Sequence, residues 1–155
     1  MSQAEVLADL QSKVGAEIHL SDWHVVDQNQ INLFADATGD HQWIHTNPER
    51  AATESAYGTT IAHGYLTLSL YPMLRNMVDN DRPPFPGLKN VINYGLNKVR
   101  FPNAVKVGSR LRARVELVSV EEVKGGLQVT ERYTAEVEGE DRPACVAEAI
   151  MRFYF

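Results

Sequence analysis

Cysteine is almost absent from this chain, whose 155 residues include a single one, Cys145. An intramolecular disulfide therefore cannot form, which fits a reducing compartment. Because Cys145 lies in an apolar run near the C-terminus, we expect it to pack in the core rather than to act as a nucleophile. A chain of this length buries roughly 70% of its unfolded surface, enough for a core without crosslinks. We expect one domain over residues 1–155.

Long apolar runs are absent as well. No window approaches the roughly 20 apolar residues of a membrane span, and no N-terminal segment joins a basic head to an apolar run of signal-peptide length. The formal net charge of −5, from 20 acidic and 15 basic residues, argues against general binding of nucleic acid. These features predict a cytoplasmic protein with neither a membrane nor a nucleic-acid partner.

Several catalytic fingerprints are also missing. The chain has no G-x-S-x-G elbow, no P-loop and no G-x-G-x-x-G fingerprint. Serine hydrolase, nucleotide hydrolase and Rossmann dinucleotide-binding functions therefore lack support.

Helical patterns occupy the first half of the chain. A short pattern ends at Gly15, and an extended segment follows over residues 17–26. Asp27, with Gln30 in the arrangement of a capping box, starts the next helix, and Gly39 ends it.

Two further helices are predicted before the pattern changes. Asn47 caps the first, with Pro48 at the initial helical position, where a missing N–H costs nothing. Over residues 65–78 apolar side chains cover most of the helix circumference, which predicts a buried helix. The polar, proline-containing run over residues 79–87 ends it.

The period then changes from 3.6 to 2 residues, which indicates strands. Gly95 suggests a bulge or a close backbone approach in the first of them, and glycines supply turns at residues 125–126 and 139–143. A buried helix followed by antiparallel strands predicts an α+β fold whose sheet curls around the helix. Because edge strands need covering, we expect a dimer that joins two sheets edge to edge. The predicted strands span residues 91–101, 110–120, 127–137 and 144–155.

An acid and a histidine stand five residues apart between two of these helices. Asp40 follows the stop at Gly39, and His45 precedes the cap at Asn47, so the connecting loop is short and fixed at both ends. Adding water to a double bond conjugated to a thioester needs a base, an acid and donors for the enolate oxygen. Asp40 and His45 could share one water and supply the first two. Gly64, at the N-terminus of the apolar helix, could supply the third, because free N–H groups and the helix dipole favour negative charge there.

The same residues admit a plainer interpretation. Asp40 could simply end a helix, His45 could be a solvated loop residue, and Gly64 could serve packing alone. Spacing and context do not decide between the two interpretations.

A metal site is a competing possibility. His41 and His45 are spaced as on a metal-binding helix, and Asp40 is adjacent. The helix-ending residues on either side of this loop leave no room for a further helix within it, however, so no metal site is predicted. His19 and His24 lie in the early extended segment and are predicted to be surface residues.

Acidic residues are missing from one stretch of this acidic chain. Residues 98–114 hold six basic residues and no Asp or Glu. A phosphate-bearing carrier such as coenzyme A would be drawn to this stretch, and we predict that Arg100 and Arg112 bind substrate. Arg112 alternates with apolar neighbours, however, which is also the ordinary pattern of a strand with one wet face.

The run FADATGDHQWIHTNPERAA, followed by TTIAHGYLTLSL, joins a G-D-x4-H pattern to a His-Gly pair. These segments resemble the MaoC-like dehydratases, a hot-dog-fold group that includes the (R)-specific enoyl-CoA hydratases, and within it the NodN-like branch. The segment NYGLNKVRFPNAVKVGSRLRARVELVSV looks like that family's strand pair. The resemblance implies a hot-dog fold, in which an antiparallel sheet wraps the helix that begins at residue 65, and a homodimer.

By this resemblance Asp40 and His45 are the catalytic pair that activates water, and Gly64 is the backbone oxyanion donor. His63 and Gln42 are predicted to contact substrate. The implied reaction is the reversible hydration of a trans-2-enoyl-CoA to an (R)-3-hydroxyacyl-CoA. Coenzyme A enters as part of the substrate, and no metal or other cofactor is implied.

The chain departs from the family pattern in two places. Gln42 and Trp43 stand where many members carry Asn-Pro, and Pro72 stands where some hydratases carry a serine. These departures bear on rate and substrate range more than on reaction class. An acyl-CoA thioesterase of the same fold and a non-catalytic acyl-CoA binding module are the alternative functions.

Overall fold

The computed structural model describes residues 1–79 and 81–155, so Asn80, within the predicted break after the apolar helix, lies outside the described residues. Helices precede the long strands, as the sequence pattern predicts. The helices are α1 Gln3–Gln11, α2 Gln28–Thr38, α3 Trp43–Thr46, α4 Pro48–Glu54, α5 Gly64–Ser69 and α6 Tyr71–Leu74.

The strands form one antiparallel sheet in the order β1-β4-β5-β6-β3, and the short strand β2 also pairs with β4. The four long strands are confirmed with small shifts of their ends. The bulge predicted at Gly95 is confirmed too, because the β3–β6 register shifts between Asn93 and Gly95. The strands are β1 Glu17–Leu20, β2 His24–Val25, β3 Asn90–Arg100, β4 Arg110–Val123, β5 Gly126–Val137 and β6 Cys145–Tyr154.

The core lies between one face of the sheet and the helices. Side chains alternate between the two faces along β4, β5 and β6, and the buried set packs with apolar residues of α5 and α6 such as Leu66 and Leu74. Cys145 belongs to this core and is fully buried. Burial raises the pKa of its thiol to about 12, so this cysteine packs in the core, as predicted, and does not serve as a thiolate at neutral pH.

The helix ends around the candidate site follow the predicted signals. The Asp27 carboxylate accepts the N–H of Gln30 at 2.8 Å, and Gly39 ends α2 in the left-handed region with a φ of 80°. The Asn47 side chain accepts the N–H of Arg50 at 3.0 Å at the start of α4. The capping box at Asp27 is only half formed, because the Gln30 side chain contacts His24 instead.

The long apolar helix predicted over residues 65–78 is wrong in length and in burial. Helical structure starts at Gly64, is divided into α5 and α6, and ends at Leu74. Pro72 has no N–H to continue the ladder, and Asn76 adopts a positive φ of 63°. Tyr65 is 70% exposed, so the segment has one buried face and one open face.

His19 and His24, predicted to be surface residues, keep only part of their surface exposed. Both are partly buried, because β1 and β2 pair with β4 beside the helix ends. His19 Nε2 lies 2.7 Å from the carbonyl oxygen of Leu74, at the end of α6. No helix in the described part of the chain combines the length and apolar character needed to cross a membrane.

Candidate active site

The segment between α2 and α4 folds back on itself through a four-residue helical turn, α3. The prediction that no helix fits here is therefore wrong. The carbonyl of Gln42 accepts the N–H groups of His45 and Thr46 at 3.0 and 3.3 Å. This turn carries His45 inward, where only 8% of its surface is exposed, so His45 is not a solvated loop residue.

His45 is held in one tautomer by the backbone. Its Nδ1 lies 2.7 Å from the carbonyl oxygen of Ile61, and because a carbonyl can only accept, Nδ1 carries the proton in the neutral ring. The Nε2 atom then presents a lone pair. Burial lowers the pKa of His45, the Ile61 carbonyl opposes the shift, His63 adds to it, and the Asp40 carboxylate opposes it. The net lowering favours a neutral imidazole at pH 7, which can accept a proton.

His63 is more deeply buried than His45, with 3% of its surface exposed. Its ring stacks on the His45 ring with centroids 3.8 Å apart and planes 26° apart, and Phe34 packs against it at 5.0 Å. Its Nε2 donates to the backbone carbonyl of Asp40 at 2.9 Å. The Nδ1 atom is buried and has no hydrogen-bond partner among the residues that the structure describes.

Asp40 and Gly64 complete the arrangement. The Asp40 side chain is exposed and accepts the N–H of Gln42 at 3.3 Å. One ligand-type atom from each of Asp40, His45 and His63 lies within 4.8 Å of the other two; we call these three residues the histidine cluster. Gly64 is the first residue of α5, directly after His63, where a helix N–H has no intrahelical acceptor.

A metal ion is the first ligand to test against the histidine cluster, since two imidazoles and a carboxylate suit zinc or iron. Each ring also gives its other nitrogen to a backbone carbonyl, as metal-bound histidines do. The stacking argues against an ion, however. Rings that lie nearly parallel direct their lone pairs side by side rather than toward one point, so His45 and His63 would have to separate to share a metal. The absence of a metal stays a prediction.

Two residues that the sequence reasoning missed hold the site together. Gln28, on α2, donates to the backbone carbonyl of His45 at 2.7 Å. The fully buried hydroxyl of Thr60 in turn donates to the Gln28 side-chain oxygen at 2.5 Å. Neither residue carries a sequence signal, because a glutamine on an exposed helix face and a lone threonine are both ordinary.

The other predicted contact residues are not all brought to this place. Gln42 is exposed at the start of α3, next to the cluster. Arg100 is exposed at the end of β3, and among residues 1–79 and 81–155 its guanidinium donates to the carbonyl of Val99 alone. Arg112 lies on the outer face of β4, bonded to Glu136 at 2.6 Å. The structure does not bring Arg112 to the histidine cluster.

A second group of buried polar residues lies where α6 meets the sheet. Glu131, on β5, is 1% exposed and accepts hydrogen bonds from the hydroxyl of Tyr71 and from Arg75, at 3.0 and 3.1 Å for the latter. We call Tyr71, Arg75 and Glu131 the glutamate cluster. Burial raises the pKa of Tyr71, and the Glu131 carboxylate raises it further, so the phenol stays a donor. The sequence held a signal for Glu131, since it interrupts the apolar face of the predicted strand.

Comparison with known proteins places this geometry in a family. The MaoC like domain matches residues 9–139, most of the chain. The chain belongs to the MaoC-like dehydratase family. The resemblance on which the sequence interpretation relied is therefore confirmed.

Relatives of this MaoC-like chain extend over nearly its whole length. It is 53% identical over 154 residues to the 3-hydroxyacyl-thioester dehydratase Z of Mycobacterium tuberculosis, with 99% of each chain covered. It is 48% identical to Nodulation protein N of Rhizobium leguminosarum bv. viciae, covering 96% of this chain and 91% of that protein. Among solved structures, the (R)-hydratase of A. caviae involved in PHA biosynthesis matches with a TM-score of 0.70 and 26% identity, over 89% of this chain and 94% of that one. The predicted hot-dog fold is thereby confirmed.

Proposed function

We propose that this protein catalyses the reversible hydration of a trans-2-enoyl thioester, with coenzyme A as the carrier, to the (R)-3-hydroxyacyl thioester. The observation that carries the proposal is the geometry of Asp40 and His45. The carboxylate and a ring nitrogen lie within 4.8 Å of each other, a separation that one water can bridge with two hydrogen bonds of about 2.8 Å. The names of the dehydratase relative and of the (R)-hydratase neighbour support hydration or dehydration of acyl thioesters.

The chemistry needs one proton taken from water and one proton delivered to C2. As the oxygen of water bonds to C3, the electrons of the double bond move toward the thioester and form an enolate, which then takes a proton at C2. Asp40 and His45 exchange these protons as a coupled unit. The N–H of Gly64, at the start of α5, receives the developing charge on the thioester oxygen. No proton is gained or lost overall.

An apolar groove beside α5 offers space for the acyl chain. It has a volume of about 450 Å³ and lies between the helical segment and strands β3 and β6, with Leu68, Pro72, Leu96 and Ile150 among its walls. Pro72 lines this groove and carries no hydroxyl, so it offers the substrate only an apolar contact. Exposed Gln42 and Arg100 remain proposed contacts for the polar carrier.

A second copy of the chain is the proposed partner. Strand β3 is the last strand of the sheet on its side and exposes Ile92, Tyr94 and Leu96, each about half or more exposed. An open apolar edge of this length is a liability unless it is covered. We propose that two β3 edges pair, and sedimentation of the wild type and of Ile92→Lys tests it; a monomeric wild type would refute the dimer.

The decisive experiment follows the absorbance of the conjugated thioester of a short enoyl-CoA. Asp40→Asn and His45→Gln should each lower kcat by about 10²–10⁴-fold, the usual contribution of general acid–base catalysis. The matched control is His41→Gln, because His41 lies in the same loop but is exposed and bonded to Asp36. Full activity in both site variants would refute the proposal. Release of free thiol from a saturated acyl-CoA would indicate a thioesterase instead, and tight binding without turnover a binding module.

A further inference from the structure

His63 is the residue that physically joins the three parts of the proposed catalytic machinery. Its Nε2 donates to the backbone of Asp40 at 2.9 Å, its ring stacks on His45 at 3.8 Å, and Gly64 follows it in the chain. Among the described residues, neither of the other two cluster members combines a hydrogen bond to one member with ring stacking on another. From the sequence, His63 is predicted to contact substrate.

The burial of His63 does not suit a substrate contact. Only 3% of the residue is exposed, and its donating nitrogen is already used by the Asp40 carbonyl. Phe34 packs on it at 5.0 Å. A substrate group could reach this ring only if the packing opened.

We propose that His63 is a positioning residue for the hydration reaction, which sets the separation of the Asp40 loop, the His45 ring and the Gly64 N–H without touching substrate. This inference rests on the proposed function, and it gives the structural reason for a histidine rather than another residue directly before Gly64. A donor nitrogen fixes the loop, a flat ring fixes His45, and the backbone of the same residue leads into α5. A misplacement of about 1 Å in such a site can lower the rate by about 10²-fold.

The unpartnered Nδ1 of His63 fits this role. A buried nitrogen without a hydrogen bond costs stability, and the fold retains it beside His45. Residues that hold a functional geometry commonly carry such a cost. A phenylalanine would fill the same space without that cost but could not hold the Asp40 carbonyl.

Two substitutions separate the two contacts of His63. His63→Phe keeps a stacking ring and removes the donor, whereas His63→Gln keeps a donor and removes the ring. We expect His63→Phe to lower kcat by about 10²-fold with little change in KM, and His63→Gln to recover part of the loss. A loss confined to KM, an unchanged kcat in His63→Phe, or equal losses in both variants would overturn the proposal. If His63→Phe does not fold, the kcat and KM of His63→Gln decide, and an unchanged kcat there overturns it.

A second readout does not depend on turnover. The groups that face His45 are His63 and the Asp40 carboxylate, and His63 lowers the pKa of His45 after burial does. We therefore expect the His45 ring resonances to titrate at higher pH in both variants than in the wild type, and the acid limb of kcat/KM to move the same way. His41→Gln, at an exposed position, should leave both unchanged. A wild type without hydration activity would refute the proposed function, whereas an unmoved His45 titration in both variants would refute the positioning role alone.

Discussion

The histidine cluster lies at the start of the helical segment formed by α5 and α6, the glutamate cluster lies at its end, and each contains buried polar side chains. In the glutamate cluster, charged and polar side chains pair with one another, and both oxygens of Glu131 are bonded. In the histidine cluster, both rings bond to backbone carbonyls, so each keeps one nitrogen that no side chain neutralises.

This difference suits the glutamate cluster to stabilising the fold and the histidine cluster to chemistry. A buried network whose members satisfy one another rigidifies the fold and has no atom left for a substrate. A cluster that leaves lone pairs free gives up some stability, and buried polar groups without side-chain partners are found at functional sites. We therefore expect substitutions at the two ends to separate into losses of stability and losses of rate.

The largest effect on stability is expected for Glu131→Ala. Removing one partner of a buried ion pair leaves the charge of Arg75 uncompensated, and the free energy of unfolding should fall by about 3–5 kcal/mol. Urea denaturation measures it. Glu116→Ala is the control, because Glu116 pairs with Arg132 at a partly exposed site, where the loss should be at most about 1 kcal/mol.

Two outcomes would break this half of the comparison. One is a loss in Glu131→Ala no greater than in Glu116→Ala. The other is continued instability when the whole cluster is made apolar, as Tyr71→Phe with Arg75→Leu and Glu131→Leu, since such replacements are often neutral or stabilising when the space is refilled.

Gln28→Ala should affect both stability and rate. It strands the fully buried hydroxyl of Thr60 and releases the carbonyl of His45, at a cost of about 1–3 kcal/mol for an unsatisfied buried group. Because α3 then loses its tie to α2, kcat should fall as well. Asn32→Ala is the matched control on the same helix, since exposed Asn32 only accepts from Gln28. Equal results for the two variants would contradict the anchoring role.

The pH dependence below neutrality should report on His45. The pKa of His45 is lowered below the usual histidine value of 6.5, so the unfolded chain takes up a proton before the folded chain as the pH falls. Stability should therefore decrease as the pH falls from 6.5 toward the folded pKa, and kcat/KM should fall over its acid limb below 6.5. Denaturation and rate measurements across this window, compared with His45→Gln, check it; the same decrease of stability in that variant would show that another group is responsible.

The smallest effect is expected for metal removal. Stacked rings do not converge on one ion, so prolonged treatment with EDTA should leave the hydration rate unchanged. A loss of activity that added Zn²⁺ restores would show that His45 and His63 separate to bind a metal, and would reverse our reading of the histidine cluster.

Local signals in the sequence predicted much of the fold. The caps at Asp27 and Asn47, the left-handed Gly39 and the bulge at Gly95 all depend on neighbouring residues, and the structure has each of them. The helix over residues 65–78 was overestimated because apolar periodicity does not reveal which face the sheet covers. Pro72 held the local warning, since its missing N–H interrupts the helix.

The residues of the candidate site also fall into two groups, those that local signals predict and those that depend on tertiary packing. Spacing and helix ends predicted that Asp40, His45 and Gly64 lie together; the structure has Asp40 and His45 within 4.8 Å of each other and of the residue directly before Gly64. Gln28 could not be found, because its contact with His45 joins residues 17 positions apart through the packing of α2. Arg112 was chosen for its charge, whereas its partner Glu136 stands across the sheet on β5, where strand pairing decides the contact.

Gly64 has one close neighbour whose position matters for assembly. A Cβ atom at Gly64 would lie 3.1 Å from the ring of Phe101, the residue directly after the open edge strand β3. The ring thus occupies the space where a side chain would stand, next to the backbone N–H that we propose as the oxyanion donor. If two copies pair along β3 as proposed, a substitution at this edge should shift Phe101 and lower the rate of catalysis even where no catalytic residue has changed.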